Sequence, residues 1–174
     1  MKGWTEEAIR RLQHNHPRIL PTSKLVPSIG RWMIGIDSGV HTGYAVWDRE
    51  ERKFLCIQTM SITQAIFRIN DFWSMQIKRT EGLFLRIEDA RLRKYIPWKA
   101  TEKGERGRRE GAGSVKRDAK IWEDFCIEKG IPYEMVAPKD NVTKLSVTEF
   151  GALTKYLGKT SEHGRDAAML VCGF

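Results

Sequence analysis

Three short apolar runs separated by tight, turn-forming stretches, residues 33–37, 43–47 and 54–60, constrain this chain more than any other feature. The first break is Gly39-Val-His-Thr-Gly43, and the second is the charged stretch 48–53. The first reads as a turn and the second as a charged hairpin loop, which fit antiparallel pairing of successive runs best. A three-stranded meander is predicted, with Asp37 at the end of its first strand.

After the meander the period changes. Ser61 followed by Gln64 is a capping-box spacing, and Ile62, Ala65, Ile66, Ile69, Trp73 and Ile77 then recur at helical intervals. Residues 83–87 follow Gly82 as a fourth apolar strand that ends at Glu88. Ser114 is read as the start of a second helix, with Val115, Ala119, Trp122 and Cys126 on one face and Gly130 as its stop. Residues 133–137 form a fifth strand ahead of Pro138. Ser146 and Glu149 make a second capping box, opening a helix through Phe150, Leu153 and Leu157 that Gly158 ends, and a last helix starts near Ser161 with Ala167, Leu170 and Val171 inside. The order strand, strand, strand, helix, strand, helix, strand, helix, helix predicts an α/β fold: a mixed five-stranded sheet with helices on both faces.

The length of 174 residues suits one domain, preceded by a segment, 1–31, in which Pro17, Pro21 and Pro27 forbid a continuous element. The expected division is therefore a basic arm over 1–31 and a folded domain over 32–174. Thirty Lys and Arg against 22 Asp and Glu leave a net charge of +8, and its placement is uneven. Residues 91–120 carry eleven basic and four acidic side chains, and residues 1–31 carry six and two. Such density predicts contact with a polyanion through Arg91, Arg93, Lys94, Arg106, Arg108, Arg109, Lys116 and Arg117. The glycines at 104, 107, 111 and 113 make residues 91–113 read as a mobile loop that folds over its ligand. Cys56, Cys126 and Cys172 are odd in number and lie in apolar contexts, which predicts reduced thiols in a cytosol-like compartment. No apolar run approaches the ~18 residues of a membrane span.

The chemistry gathers in four residues. Asp37 and Glu88 each end an apolar strand, where a carboxylate is costly unless it is used, and His163 and Asp166 share one face of the last helix at a spacing of three. Open α/β sheets gather ligands at strand ends. Three carboxylates and an imidazole suit hard divalent cations such as Mg²⁺ or Mn²⁺, and a pair of such ions activates water and stabilises a leaving oxygen in phosphodiester hydrolysis.

The motifs Ile34-Gly-Ile-Asp-Ser-Gly39 with Thr42-Gly-Tyr-Ala-Val46, Arg86-Ile-Glu-Asp89, Tyr133-Glu-Met-Val-Ala-Pro138 with Lys144, and His163-Gly-Arg-Asp-Ala-Ala168 occur in that order across residues 33–171. Together they resemble the RuvC-type Holliday-junction resolvases of the ribonuclease-H-like superfamily. The resemblance implies a Mg²⁺-dependent homodimeric nuclease that cuts four-way or other branched DNA, a cytoplasmic, nucleoid-associated location, and Asp37, Glu88, His163 and Asp166 as catalytic metal ligands. It places Lys144 near the scissile phosphate. It also implies an aromatic residue at the junction point shortly after the catalytic Glu; Arg91 occupies the third position after Glu88 here, and Tyr95 and Trp98 are the aromatics that follow. Two other readings stay open at this stage: a ribonuclease-H-like enzyme acting on RNA, and a nucleic-acid-binding module without catalysis. An actin-like ATPase, whose first phosphate motif Gly35-Ile-Asp-Ser-Gly39 resembles, needs two such domains, and the chain is too short for them.

Overall fold

The meander forms as its turn spacing dictates. In a computed structural model, which describes residues 30–79, 82–93 and 102–174, β1 (Trp32–Asp37) and β2 (Thr42–Asp48) pair antiparallel, with Trp32 opposite Asp48 and Asp37 opposite Gly43. β3 (Lys53–Met60) continues the meander, Thr42 facing Met60, with an irregularity between Val46 and Trp47. The helix α1 (Ile62–Arg79) then returns the chain so that β4 (Leu83–Glu88) lies parallel to β1 on its other side. A second crossover, α2 (Glu102–Lys129), brings β5 (Tyr133–Val136) parallel to β4. The resulting order, β3-β2-β1-β4-β5, is a mixed five-stranded α/β sheet. Two short helices, α3 (Val147–Thr154) and α4 (Glu162–Met169), close the chain.

Each sheet face has its own core. Ile34, Ile36, Tyr44, Leu85 and Ile87 point toward α1 and α2, where Ala65, Ile69, Trp122 and Cys126 meet them. Met33, Ala45, Trp47 and Val136 point the other way, onto Phe150 of α3 and Ala167 to Cys172 at the end of α4. β1 and β2 are consequently buried on both sides, which is why they read as continuous apolar runs rather than as alternating ones.

The caps follow the sequence closely. Ser61 Oγ accepts from the Gln64 amide while Gln64 Oε1 accepts from the Ser61 amide, and Ser146 and Glu149 make the same reciprocal pair. Gly130, at φ +64°, ends α2 in a Schellman arrangement: its amide bonds the Ile127 carbonyl, and the Ile131 amide bonds that of Cys126.

Two expectations are corrected. α2 begins at Glu102, not at Ser114, so the glycine-containing segment read as a loop is helical from residue 102 onward. Glycine in a helix interior costs ~1 kcal/mol relative to Ala. Against that, the segment is filled with Glu, Lys and Arg, with Glu102 to Arg106 and Glu105 to Arg109 at the favourable i,i+4 spacing. It also extends a helix already nucleated by the buried Ala119, Trp122 and Cys126, so each added residue only propagates. Secondly, α3 stops at Thr154 instead of running through Leu157. Lys155 turns left-handed at φ 59°, and Tyr156 packs edge-on against Phe54 and Phe150, leaving Leu157 98% exposed. The residues 1–29, most of the expected arm, lie outside the described residues, as do Lys94, Tyr95 and Trp98.

Candidate functional site

Strand register places the first two carboxylates side by side. Ile36 of β1 pairs with Ile87 of β4, so the next residues, Asp37 and Glu88, leave the sheet on neighbouring strands at the same end. The Ser38 hydroxyl donates to the Glu88 carbonyl at 2.7 Å and ties the two strand exits together.

α4 crosses above them because two glycines let it. A Cβ at Gly35 would overlap the Ala167 carbonyl, and one at Gly43 would overlap the carbonyl of His163. With neither side chain present, the backbone of α4 rests directly on β1 and β2. That contact carries His163 and Asp166 to the end of β1. The Nδ1 atom of His163 lies 2.8 Å from Asp37 Oδ2, and the ring of His41, from the β1–β2 loop, lies 6.3 Å from the His163 ring between centroids.

A side chain that the sequence reading passed over completes the arrangement. Asn141, buried just after the 3-10 turn Pro138–Asp140, donates through Nδ2 to Glu88 Oε2 at 3.1 Å and to the Asp166 carbonyl at 3.0 Å. It therefore joins the β4 end to α4. No periodicity marks it; its only signal is its place just beyond a parallel strand, where sites in such sheets collect. Lys144 takes part through its main chain: its amide donates to Asp166 Oδ1 at 2.8 Å from a left-handed conformation at φ 60°, while its side chain is exposed.

The electrostatics are those of compressed negative charge. Burial pushes the Asp37 carboxyl up, against the hydrogen bond and charge of His163, and Asp166 and Glu162 add to the rise. Burial also raises Glu88, opposed by the Asn141 bond and by Arg93, and assisted by Asp37 and Asp166. Asp166 is raised by burial in turn, against the Lys144 amide. Among the described residues no Arg or Lys forms an ion pair with any of the three.

This donor set fits a hard divalent cation in chemistry. Each carboxylate has one oxygen in a hydrogen bond, to His163, Asn141 or Lys144, and keeps its second oxygen without a protein partner among the described residues. Asn141 Oδ1 is a buried acceptor with no partner there either, the kind of atom that the water shell of Mg²⁺ satisfies. As placed, no three His, Cys, Asp or Glu side chains among the described residues stand together closely enough to hold a metal ion.

The expected polyanion contacts divide. Arg93 is exposed at the rim and is near enough to pull the Glu88 carboxyl down, and Lys116 and Arg117 are exposed on α2. Arg106, Arg108 and Arg109 stand on the first turns of α2. Arg91 holds Asp89 in a two-pronged ion pair at 2.7 Å and Glu123 of α2 at 2.9 Å, so its guanidinium clips the β4 exit to α2.

No protein-family model matches the chain, and no curated protein does. Among solved structures it is similar to that of Thermus thermophilus RuvC, at 15% identity and a TM-score of 0.43, over 80% of this chain and 90% of that one.

Proposed function

We propose that this protein is a divalent-cation-dependent endonuclease that hydrolyses phosphodiesters in branched DNA, four-way junctions foremost, and that it works as a homodimer with one such site per subunit. The observation that carries the reading is the convergence of Asp37, Glu88 and Asp166, from two strands and a helix, at one sheet end, where burial raises all three carboxyls and none of them forms an ion pair with an Arg or Lys among the described residues. Carboxylates are gathered at this cost where a metal is to be held.

In this reading Asp37, Glu88 and Asp166 would hold Mg²⁺ or Mn²⁺, which would supply an activated water and charge stabilisation at the phosphate. Asn141 fixes the direction of Glu88 and the height of α4 above it. The Lys144 amide orients Asp166. With Asp37 ionised, His163 donates from Nδ1 to Oδ2, which leaves Nε2 as the ring atom able to take or return a proton. Arg93, Lys116, Arg117 and the basic first half of α2 meet the DNA backbone, and the stretch bearing Lys94, Tyr95 and Trp98 meets the opened bases at the junction point.

The test is a substrate panel. End-labelled four-way junction, flap, plain duplex and RNA/DNA hybrid are incubated with the protein in Mg²⁺ and the cuts are mapped. Paired, symmetric cuts in the junction are expected; cutting confined to the hybrid transfers the reading to RNA, and no cutting of any substrate in Mg²⁺ or Mn²⁺ overturns it.

A further inference from the structure

A groove lies beside the carboxylate cluster and is lined by none of its side chains. This groove of about 810 Å³ follows the open edge of β3, between α1 on one side and residues 159–161 on the other. Its walls carry two cationic side chains, Arg68 and Lys159, and no carboxylate; the remainder combines the apolar Ile57, Met60 and Phe67 with hydroxyl and amide side chains. Arg68 is held in place by Gln58 Oε1 at 2.5 Å. Phe67, on the ridge that the groove shares with a neighbouring hollow, is 68% exposed, although burial is the ordinary state of so large an apolar side chain. The neighbouring hollow between α1 and α2 differs in character, since it mixes Asp124 and Glu128 with Lys129.

The groove also points at the site. Thr59 in its wall pairs with Gly43, and Gly43 pairs with Asp37, so the groove and the carboxylate stand in one row of the sheet, two interstrand spacings or about 10 Å apart. Ser161, at the groove's end, is the N-cap of α4 and stands two residues before His163.

We infer that this groove seats an unpaired nucleic-acid strand on its way into the carboxylate cluster, with Phe67 as the stacking face for a base and Arg68 and Lys159 as contacts for its phosphates. A polyanion is favoured because both charges in the walls are positive, and an unpaired strand is favoured because duplex stacking hides the base faces that an exposed ring takes. The inference rests on the nuclease reading for the strand's destination; seating the strand requires no cleavage.

The experiment measures binding without divalent cation, in the full-length Asp37→Asn protein so that cutting does not intervene. The probes are a fluorescein-labelled blunt duplex and the same duplex with a single-stranded tail of about ten nucleotides, within the usual reach of a strand-binding site. Phe67→Ala in this background is expected to weaken binding of the tailed probe about tenfold, one lost stack, while changing the blunt duplex less than twofold. Arg68→Gln with Lys159→Gln is expected to lower the salt slope for the tail by about 1.4, at roughly 0.7 for each single-strand phosphate. A photoreactive thymine analogue in the tail, crosslinked to the parent protein, is expected to mark residues 57–60 or 67–68, which tests the seat even where a variant folds poorly. Unchanged tail binding by both variants at preserved thermal stability, or crosslinks confined to other segments, overturns the inference. Lost tail binding in the variants, where the wild-type protein cuts no substrate, overturns the nuclease reading and leaves the groove standing; junction cutting by the wild type with tail binding intact in the variants does the reverse.

Discussion

At the scale of single residues the site is a balance between burial and charge. Glu88 in the folded chain is raised by burial and by Asp37 and Asp166, so the native state keeps a proton that the unfolded chain releases earlier. Stability associated with this group is therefore present at low pH and lost as pH climbs from the ordinary carboxylate range through the raised folded value. Without divalent cation, Glu88→Gln is expected to melt above the wild type at pH 8, by on the order of 2–4 °C, the shift that about 1 kcal/mol gives a chain of this length, with the gap closing toward pH 4. Thermal melts across pH check this, and adding Mg²⁺ should reverse the ranking, because only the wild type gains a ligand-bound state. Asn141→Ala removes two bonds at once, to Glu88 and to the Asp166 carbonyl. It is expected to lower junction cleavage by at least tenfold and to weaken Mg²⁺-induced stabilisation, while Asn141→Ala protein remains folded by circular dichroism. Asp37 and Glu88 were legible in the sequence because an acid that ends an apolar strand violates the burial pattern. Asn141 was not, since a single amide in a turn violates nothing, and the pairing of Arg91 with Glu123 was not, because a guanidinium's partner 32 residues away leaves no local trace.

At the scale of elements, the approach of α4 to β1 and β2 decides whether the site exists. Gly43→Ala is expected to destabilise the chain by at least the ~1–3 kcal/mol of an overpacked core and to abolish cleavage, because the new Cβ displaces the His163 carbonyl and with it the His163 to Asp37 contact. Gly39→Ala, with open space around its Cβ, is the control and should keep both stability and cleavage. Most elements were readable from pattern: the meander from its turn spacing, α1 and α3 from their capping boxes, and the end of α2 from Gly130. The first half of α2 was not, because glycine content argues for a loop locally while the anchored end of the same helix outweighs it. That difference changes what the basic segment does. A helix presents charges at fixed spacing, so replacing Arg106, Arg108 and Arg109 together by Gln is expected to weaken binding of every DNA form and to reduce the slope of log affinity against log salt by about two to three. Titrations at several salt concentrations measure it; an unchanged slope moves the phosphate contacts to Lys116, Arg117 and the residues before Gly30.

At the scale of the whole molecule, opposite charges are kept apart and adjacent. Three carboxylates stand at one end of a five-stranded sheet while the largest net positive charge lies in the segment that follows the second of them, so under the proposed reading a polyanion drawn in by the one would be delivered to the other. Among the described residues no helix is long and apolar enough to cross a membrane. A four-way junction offers two equivalent phosphates, and two copies related by a twofold axis would present two carboxylate clusters to them. The most direct measurement compares cleavage of an end-labelled four-way junction by the wild type with that by Asp37→Asn, Glu88→Gln and Asp166→Asn, each in Mg²⁺, in Mn²⁺ and in chelator, with binding followed in the same samples. Metal-dependent cutting by the wild type alone, with junction binding retained or tightened in all three variants, is the expected result; cutting that survives in any two of the variants, or that proceeds in chelator, contradicts it.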